Sequence, residues 1–536
     1  MSRSRRSPKP APLVQAETPA AAPPRGIPAI SVLAVFILIA ILAWASRGNL
    51  NADGVSYLDL AARLKVGDGA GFVQAYWSPA YPLLLSVLLW VTGATGHRAA
   101  ELAHLLNFLI AVAAVGVIWH AARHRDRTWG ILLLTALLVA SARTIRVDAV
   151  TPDLLLLLAI IGLGTELLRP DGWRPIPLGC WAGFAFLAKT SSWPWLLVSA
   201  LFLAWHAWPR PAVRRQLGRA VVIAAAPVLL WGLLVSLDAG RPTIGAAAEY
   251  NACWYLRECD GRSPDTHTGN HEAYAQWPIA GDTLAKVATF SAGPWTYQPW
   301  GDPDVWQRGI VTQDASSPSI DSYLWYVLRQ LGLVLILWLP LMLILVILPA
   351  VALQRQKPKL GLAMLRAPPG IVAILGGVGI APFIAVHAEP RLIAPFVLLL
   401  ALGVVTWASE GKPRRALGSL SQAALVIALA IGGWHVRDQL RITASSAMRV
   451  SQLEQQHPEA TAPHRVVVIG KAFPMLADLY RARAVVVAQV MAPGAETLQR
   501  WPALAQQALV ERIKRLGATT LWISRDRDNY TIVRLR

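Results

Sequence analysis

The stretch Ala80-Tyr-Pro-Leu-Leu-Leu-Ser-Val-Leu-Leu-Trp-Val-Thr92 decides how this chain is threaded. It is apolar but only about 13 residues long, whereas a helix needs about 20 to cross hydrocarbon. If it crossed, the basic cluster Arg123, His124, Arg125 and Arg127 would fall outside. If it lies along the outer surface, every basic loop falls inside, as the positive-inside bias requires. The stretch therefore reads as a juxtamembrane helix.

Apolar runs on either side of it read as membrane spans. They lie at 27–44, 99–121, 129–142, 152–168, 176–189, 191–208, 219–237, 323–352, 368–386, 390–408 and 416–434. That makes about eleven crossings, with the N-terminus inside and the C-terminus outside. The first run carries Ala43-Trp44-Ala45, a cleavage-like spacing, but it is long for a signal peptide and reads as an uncleaved anchor. The inside loops Arg123–Arg127, Arg169–Arg174, Arg210–Arg219, Gln354–Arg366 and Lys412–Arg415 are all basic.

Composition agrees. Of 536 residues, 55% are hydrophobic and 15% charged, against roughly 25% charged in soluble proteins. The net charge of +19 does not indicate nucleic-acid binding, because Lys and Arg sit in short clusters between apolar runs rather than on one patch.

The fold class expected is thus a polytopic α-helical membrane protein with a small C-terminal α/β domain in the periplasm. Residues 1–26, rich in Pro, Ala, Ser and Arg, form a disordered cytoplasmic tail. Residues 27–436 form the transmembrane domain, with outer loops 47–98 and 238–321. Residues 437–536 form the soluble domain, with strand-like runs Arg465–Ile469, Ala484–Val490 and Thr519–Ile523 and a helical stretch Trp501–Leu516. It has no Gly-x-Gly-x-x-Gly, which disfavours a nucleotide site.

Ionisable residues at a membrane boundary are costly and commonly functional. On the outer side they form a short set. Asp53 and Asp59 follow the first span in Asn51-Ala-Asp-Gly-Val-Ser-Tyr-Leu-Asp-Leu-Ala-Ala62. Asp53 reads either as a cap on that helix or as a base. Asp148 and Asp153 lie in Arg143-Thr-Ile-Arg-Val-Asp-Ala-Val-Thr-Pro-Asp153. Asp153 follows Pro152 at a helix start, so a cap-and-dipole reading fits it better than Asp148. Lys189 ends a span, either snorkelling or binding an anion. In His387-Ala-Glu-Pro-Arg391, Arg391 reads as one half of a local ion pair, or as an anion ligand oriented by His387 or Glu389. Acids and cations on one face suit transfer from a lipid phosphate to a hydroxyl.

These segments resemble the GT-C superfamily of membrane glycosyltransferases, nearest the branch of protein O-mannosyltransferases and the lipid A aminoarabinose transferase, over roughly residues 28 to 410. Ala52-Asp-Gly-Val-Ser-Tyr-Leu-Asp-Leu-Ala61 is similar to the family's first acidic motif, and Trp77-Ser-Pro-Ala-Tyr-Pro-Leu-Leu84 to its proline-aromatic juxtamembrane helix. Arg146-Val-Asp148 with the Leu run after it, Gly183-Phe-Ala-Phe-Leu-Ala-Lys-Thr190 and His387-Ala-Glu-Pro-Arg-Leu-Ile-Ala-Pro395 resemble three further stretches. The resemblance implies an inverting transfer from a polyprenyl-phosphate sugar to an envelope glycan, lipid or protein at the bacterial inner membrane. Asp53 would be the base and Asp148 would position the acceptor or the base. Lys189 and Arg391 would hold the carrier phosphate, with Tyr57, His387 and Glu389 also on the substrate. Gly54 stands where many relatives have a second acid, so no metal-binding pair is expected, although a divalent metal stays open. The lysine that often precedes the proline-aromatic helix is absent, with Tyr76, Trp77 and Ser78 there instead. A transporter or flippase of a lipid-linked glycan is the competing reading.

The loop 238–321 is rich in Trp, including Trp254, Trp277, Trp295, Trp300 and Trp306, suited to stacking on sugars or to the membrane interface. Cys253 and Cys259 are expected to form a local disulfide, given a turn between them; a zinc site with His267 and His271 is the other reading.

Overall fold

The computed structural model describes residues 26–123, 125, 127–169, 171–256, 274–280, 283–290, 295–303, 320–342, 367–409, 414–456, 464–469, 475–491, 503–524 and 530–535. The chain is mostly α-helical. Its helices are α1 (Ala29–Ala45), α2 (Ala52–Lys65), α3 (Gly69–Phe72), α4 (Ala80–Thr92), α5 (Gly96–Ala122), α6 (Arg127–Val139), α7 (Asp153–Leu167), α8 (Pro175–Ala188), α9 (Trp193–Ala207), α10 (Pro211–Ala239), α11 (Ala247–Leu256) and α12 (Gln298–Gly301). They continue with α13 (Ile320–Met342), α14 (Pro368–Val386), α15 (Pro390–Ser409), α16 (Arg414–Gln456), α17 (Leu476–Arg481) and α18 (Ala503–Arg515). Four described helices, α5, α10, α14 and α15, are long and apolar enough to cross a membrane; α1, α4 and α8 are apolar but shorter.

α6 and α7 lie at the centre of the bundle. Nearly every residue of α7 is buried, on all sides of the helix, as expected of an apolar helix with protein all round it. α5, α8, α14 and α15 pack on α7, and α1, α5, α15 and α16 pack on α6. α14 and α15 form a hairpin whose backbones nearly touch. A Cβ on Gly376 would sit 2.3 Å from Leu400 N, and one on Gly403 would sit 2.4 Å from Ala373 N. Only glycine allows this approach, the usual device of membrane helix pairs. The tip of this hairpin carries His387, Glu389 and Arg391.

α4 is short, as its sequence predicts, and two-faced. Tyr81, Leu85 and Leu89 are buried, whereas Leu83, Val87, Trp90 and Val91 are exposed. Both faces are apolar, which suits a helix lying between a protein core and lipid.

The six-stranded sheet has the order β1-β2-β4-β3-β5-β6. Its strands are β1 (Tyr274–Ala280), β2 (Thr283–Thr289), β3 (His464–Ile469), β4 (Ala484–Met491), β5 (Thr520–Ser524) and β6 (Tyr530–Arg534). The parallel centre β4-β3-β5 matches the three strands expected in the tail. Two features differ from the expected division at 436/437. First, α16 runs unbroken across it, because a change from apolar to polar residues does not by itself end a helix, which stops at caps and breakers. Second, the sheet is not built by the tail alone. The β1–β2 hairpin of the 238–321 loop pairs antiparallel with β4, Val287 opposite Val490. The chain then stays knitted to β4, with Phe290 N donating to Val487 O at 2.8 Å and Val486 N to Thr296 O at 3.1 Å. Cys259, His267, His271 and Trp306 lie outside the described residues, as do the side chains of Cys253, Trp254 and Trp277.

Asp59 on α2 ties the helical bundle to this sheet-bound segment. Its carboxyl accepts from Thr296 N at 2.8 Å and Thr296 Oγ1 at 3.0 Å. Burial raises it to about 7 in spite of those bonds and the nearby Arg63. The folded protein therefore holds a proton here that the unfolded chain releases near the ordinary carboxylate range. Stability contributed by Asp59 is full below the ordinary value of 3.8 and is lost as pH rises from there through about 7. Thermal unfolding in detergent is expected to fall from pH 5 to pH 8 in the wild type. Asp59→Asn should remove that part of the slope, and an unchanged slope would contradict the assignment.

Candidate functional site

A cavity of about 630 Å³ opens where α2, the start of α7, the end of α8 and the α14–α15 tip meet. Each charged group in it is placed by a local feature of the chain. Asp53 stands in the first turn of α2, with Asn51, not Asp53, at the cap position. The Asn51 side chain is turned to the neighbouring loop, accepting from Val150 N at 3.0 Å. Asp153 stands in the first turn of α7 after Pro152, where a carboxylate meets the positive end of the helix. Lys189 follows α8 in extended conformation, and the next residue is anchored by Thr190 N donating to Ser78 Oγ at 2.9 Å. The α14–α15 tip is pinned from α13: Tyr326 OH donates to Val386 O at 2.8 Å, and Ala388 N to Gln330 Oε1 at 3.1 Å.

The charges interlock. Arg391 Nη1 donates to Asp53 Oδ2 at 2.7 Å. Arg391 Nε lies 2.8 Å from Glu389 Oε1, an ion contact without the alignment of a hydrogen bond, and 3.9 Å from Asp153 Oδ2. Lys189 Nζ donates to Asp153 Oδ1, while Asp153 Oδ2 is buried without a hydrogen bond. The Asp153 side chain is 1% exposed, whereas that of Asp53 is 21% exposed. Asp53 is therefore open to the cavity, and Asp153 is enclosed beside the two cations. Burial, and then the Asp53 and Asp153 charges, push the Tyr57 phenol far up, so it keeps its proton. Burial, with Arg391 adding to it and Glu389 opposing, pushes the His387 imidazolium down, so His387 is neutral near pH 7. Trp77 and Trp300 form an aromatic wall, with rings 5.9 Å apart. Trp77 Nε1 donates to Gly301 O at 3.0 Å, and Tyr297 OH to Gln489 Oε1 of β4 at 2.7 Å. The sheet thus holds one wall of the cavity.

Of the residues singled out from sequence, Asp53, Tyr57, Lys189, His387, Glu389 and Arg391 line this cavity. Asp148 does not. It is 2% exposed and binds Arg146, His435 and Asn49, with Arg146 Nε at 3.2 Å, His435 Nε2 at 3.5 Å and Asn49 Nδ2 at 3.3 Å. Burial works to raise its carboxyl, but bonds from His435 and Arg146 prevail and bring it to about 2. It lies behind the start of α2 and braces the segment that presents Asp53. Asp153, read from sequence as a helix cap, occupies the cavity instead. The backbone explains the exchange: α6 ends in a π turn at Ala140–Thr144, and Arg146 takes a left-handed φ of 65°, which reorients the loop. The signal for Asp153 was its place at the head of a fully apolar run, where a carboxylate needs a cation. Among the described residues, no group of three or more His, Cys, Asp or Glu is placed to hold a metal ion.

No protein-family model matches the chain, and no curated protein matches it. Among solved structures, it is similar to ArnT from Cupriavidus metallidurans bound to undecaprenyl phosphate, with a TM-score of 0.49 and 12% identity over 94% of this chain and 97% of that one. It is also similar to the apo form of the same protein, with a TM-score of 0.37 and 14% identity over 94% and 98%.

Proposed function

We propose that the chain is a GT-C-type glycosyltransferase of a bacterial inner membrane, moving a sugar from a polyprenyl-phosphate donor to an envelope acceptor on the outer face. In this reading α1, α5–α10 and α13–α16 make the eleven crossings, α4 lies along the outer surface and the sheet lies in the periplasm. The observation that carries it is the meeting of Asp53, Asp153, Lys189 and Arg391, from segments far apart in sequence, in one cavity beside an aromatic wall.

Asp53 takes the proton of the acceptor hydroxyl as its oxygen attacks the anomeric carbon. The bond from that carbon to the phosphate oxygen breaks, and the polyprenyl phosphate departs with the electron pair. Attack opposite the leaving group inverts the anomeric centre. Arg391 and Lys189 stabilise the charge gathering on the phosphate, and Asp153 holds both cations at the right spacing. Trp77 and Trp300 offer apolar faces to the sugar ring. The pairing of Arg391 with Asp53 couples binding to chemistry, since a donor phosphate drawing Arg391 toward itself releases the carboxylate for the acceptor. Asp148 positions Asp53 through Asn49 and the 146–150 loop.

Mass spectrometry of envelope glycans from cells with and without the protein tests the assignment. A sugar missing from one glycan, lipid or protein class is the expected result, and an unchanged profile overturns it.

A further inference from the structure

A second cavity, of about 450 Å³, lies on the other side of α2, between the α4–α5 connection and the edge of the sheet domain. Its electrostatics differ from those of the first. The first brings three carboxylates (Asp53, Asp153, Glu389) against two cations (Lys189, Arg391). The second brings three cations (Lys65, Arg465, Arg483) against one carboxylate, Asp59, and burial, which outweighs the opposing Thr296 bonds, leaves Asp59 largely protonated below neutrality. The cations come from both halves of the molecule. Lys65 ends α2 and donates to Ala94 O at 3.4 Å. Arg483 precedes β4, and its stem lies so close to Gly96 that a Cβ there would be 3.3 Å from Arg483 Cγ.

The cavity's depth is set by α4. Leu89, Ala94 and Thr95 line it, so it begins where α4 ends. That end of α4 exposes Trp90 and Val91 at 73% and 70%, a pair suited to the boundary between hydrocarbon and headgroups. A cationic cavity beside a helix end of this composition has the charge to take a lipid phosphate.

We propose that this cavity binds the headgroup of an anionic phospholipid, with Lys65 of the helical bundle and Arg483 of the sheet domain on the same phosphate. The lipid then clamps the sheet domain onto the bundle. The site is separate from the transfer chemistry and stands whether or not that chemistry is as described above.

The test uses the full chain in a phosphate-free maltoside detergent. Binding of dihexanoyl phosphatidylglycerol, dihexanoyl phosphatidylcholine and inorganic phosphate is measured by native mass spectrometry and by thermal shift. Phosphatidylglycerol is expected to bind at least tenfold more tightly than the other two. Lys65→Gln with Arg483→Gln should remove that preference, and Lys65→Arg with Arg483→Lys should keep it. Equal binding of the two lipids by the wild type overturns the proposal, and this comparison needs no variant to fold. Inorganic phosphate binding as tightly as phosphatidylglycerol overturns the lipid assignment. Undiminished preference in the folded glutamine variant overturns the residue assignment.

Discussion

Asp53→Asn is expected to leave the protein folded, to lower sugar transfer at least a hundredfold, and to tighten binding of a polyprenyl phosphate. The loss follows from the role of a positioned base, which contributes about 10²–10⁴ in rate. The isosteric amide keeps the shape of the α2 turn but cannot accept the acceptor's proton. The gain in affinity follows from Arg391, which sits 2.7 Å from the Asp53 carboxylate. Once that carboxylate is neutral, a phosphate no longer competes with it for the guanidinium. Transfer assays and binding isotherms on the same reconstituted sample separate the two effects. Transfer within tenfold of wild type removes Asp53 from the role of base. Weaker phosphate binding removes Arg391 from the role of carrier ligand. A flippase needs neither result.

Lys189→Met is expected to cost roughly 3–5 kcal/mol, because it leaves the Asp153 carboxylate buried beside a cation at 3.9 Å that is already engaged by Asp53 and Glu389. Pairing it with Asp153→Leu should recover most of that loss, since replacing both members of a buried pair by apolar residues is often neutral. Carrier binding should not recover, because the double variant has lost one of two phosphate-facing cations and the group that spaced them. Thermal unfolding of the two single variants and the double variant, alongside polyprenyl phosphate titrations, completes the cycle. Single-variant losses that add up to the loss in the double variant would show that the pair carries no coupling.

Much of this molecule was legible in its residues. The length of 80–92 announced a short apolar helix, and α4 spans Ala80–Thr92 with apolar residues on both its buried and its exposed face. The runs at 465–469, 484–490 and 519–523 read as strands because alternation and β-branched content are local properties, and they pair as β3, β4 and β5. The cations Lys189 and Arg391 stood out because a charge at the end of an apolar run is expensive wherever it is placed.

What the sequence determined by itself was the helical character of the chain, the positions of its apolar runs and which charged residues were too costly to be incidental. These are matters of solvation and backbone propensity, which each segment settles with its own neighbours. Tertiary structure alone decided which carboxylate joins the cavity. Asp148 and Asp153 lie five positions apart in one loop, and a π turn and a left-handed Arg146 swing the first behind α2 and the second inward. It also decided that a hairpin from 274–289 completes the tail's sheet, and that the segment after it binds Asp59 through Thr296 and walls the cavity with Trp300. Such pairings join residues about 200 positions apart; their free energy belongs to both partners at once, and no local pattern in either segment encodes it.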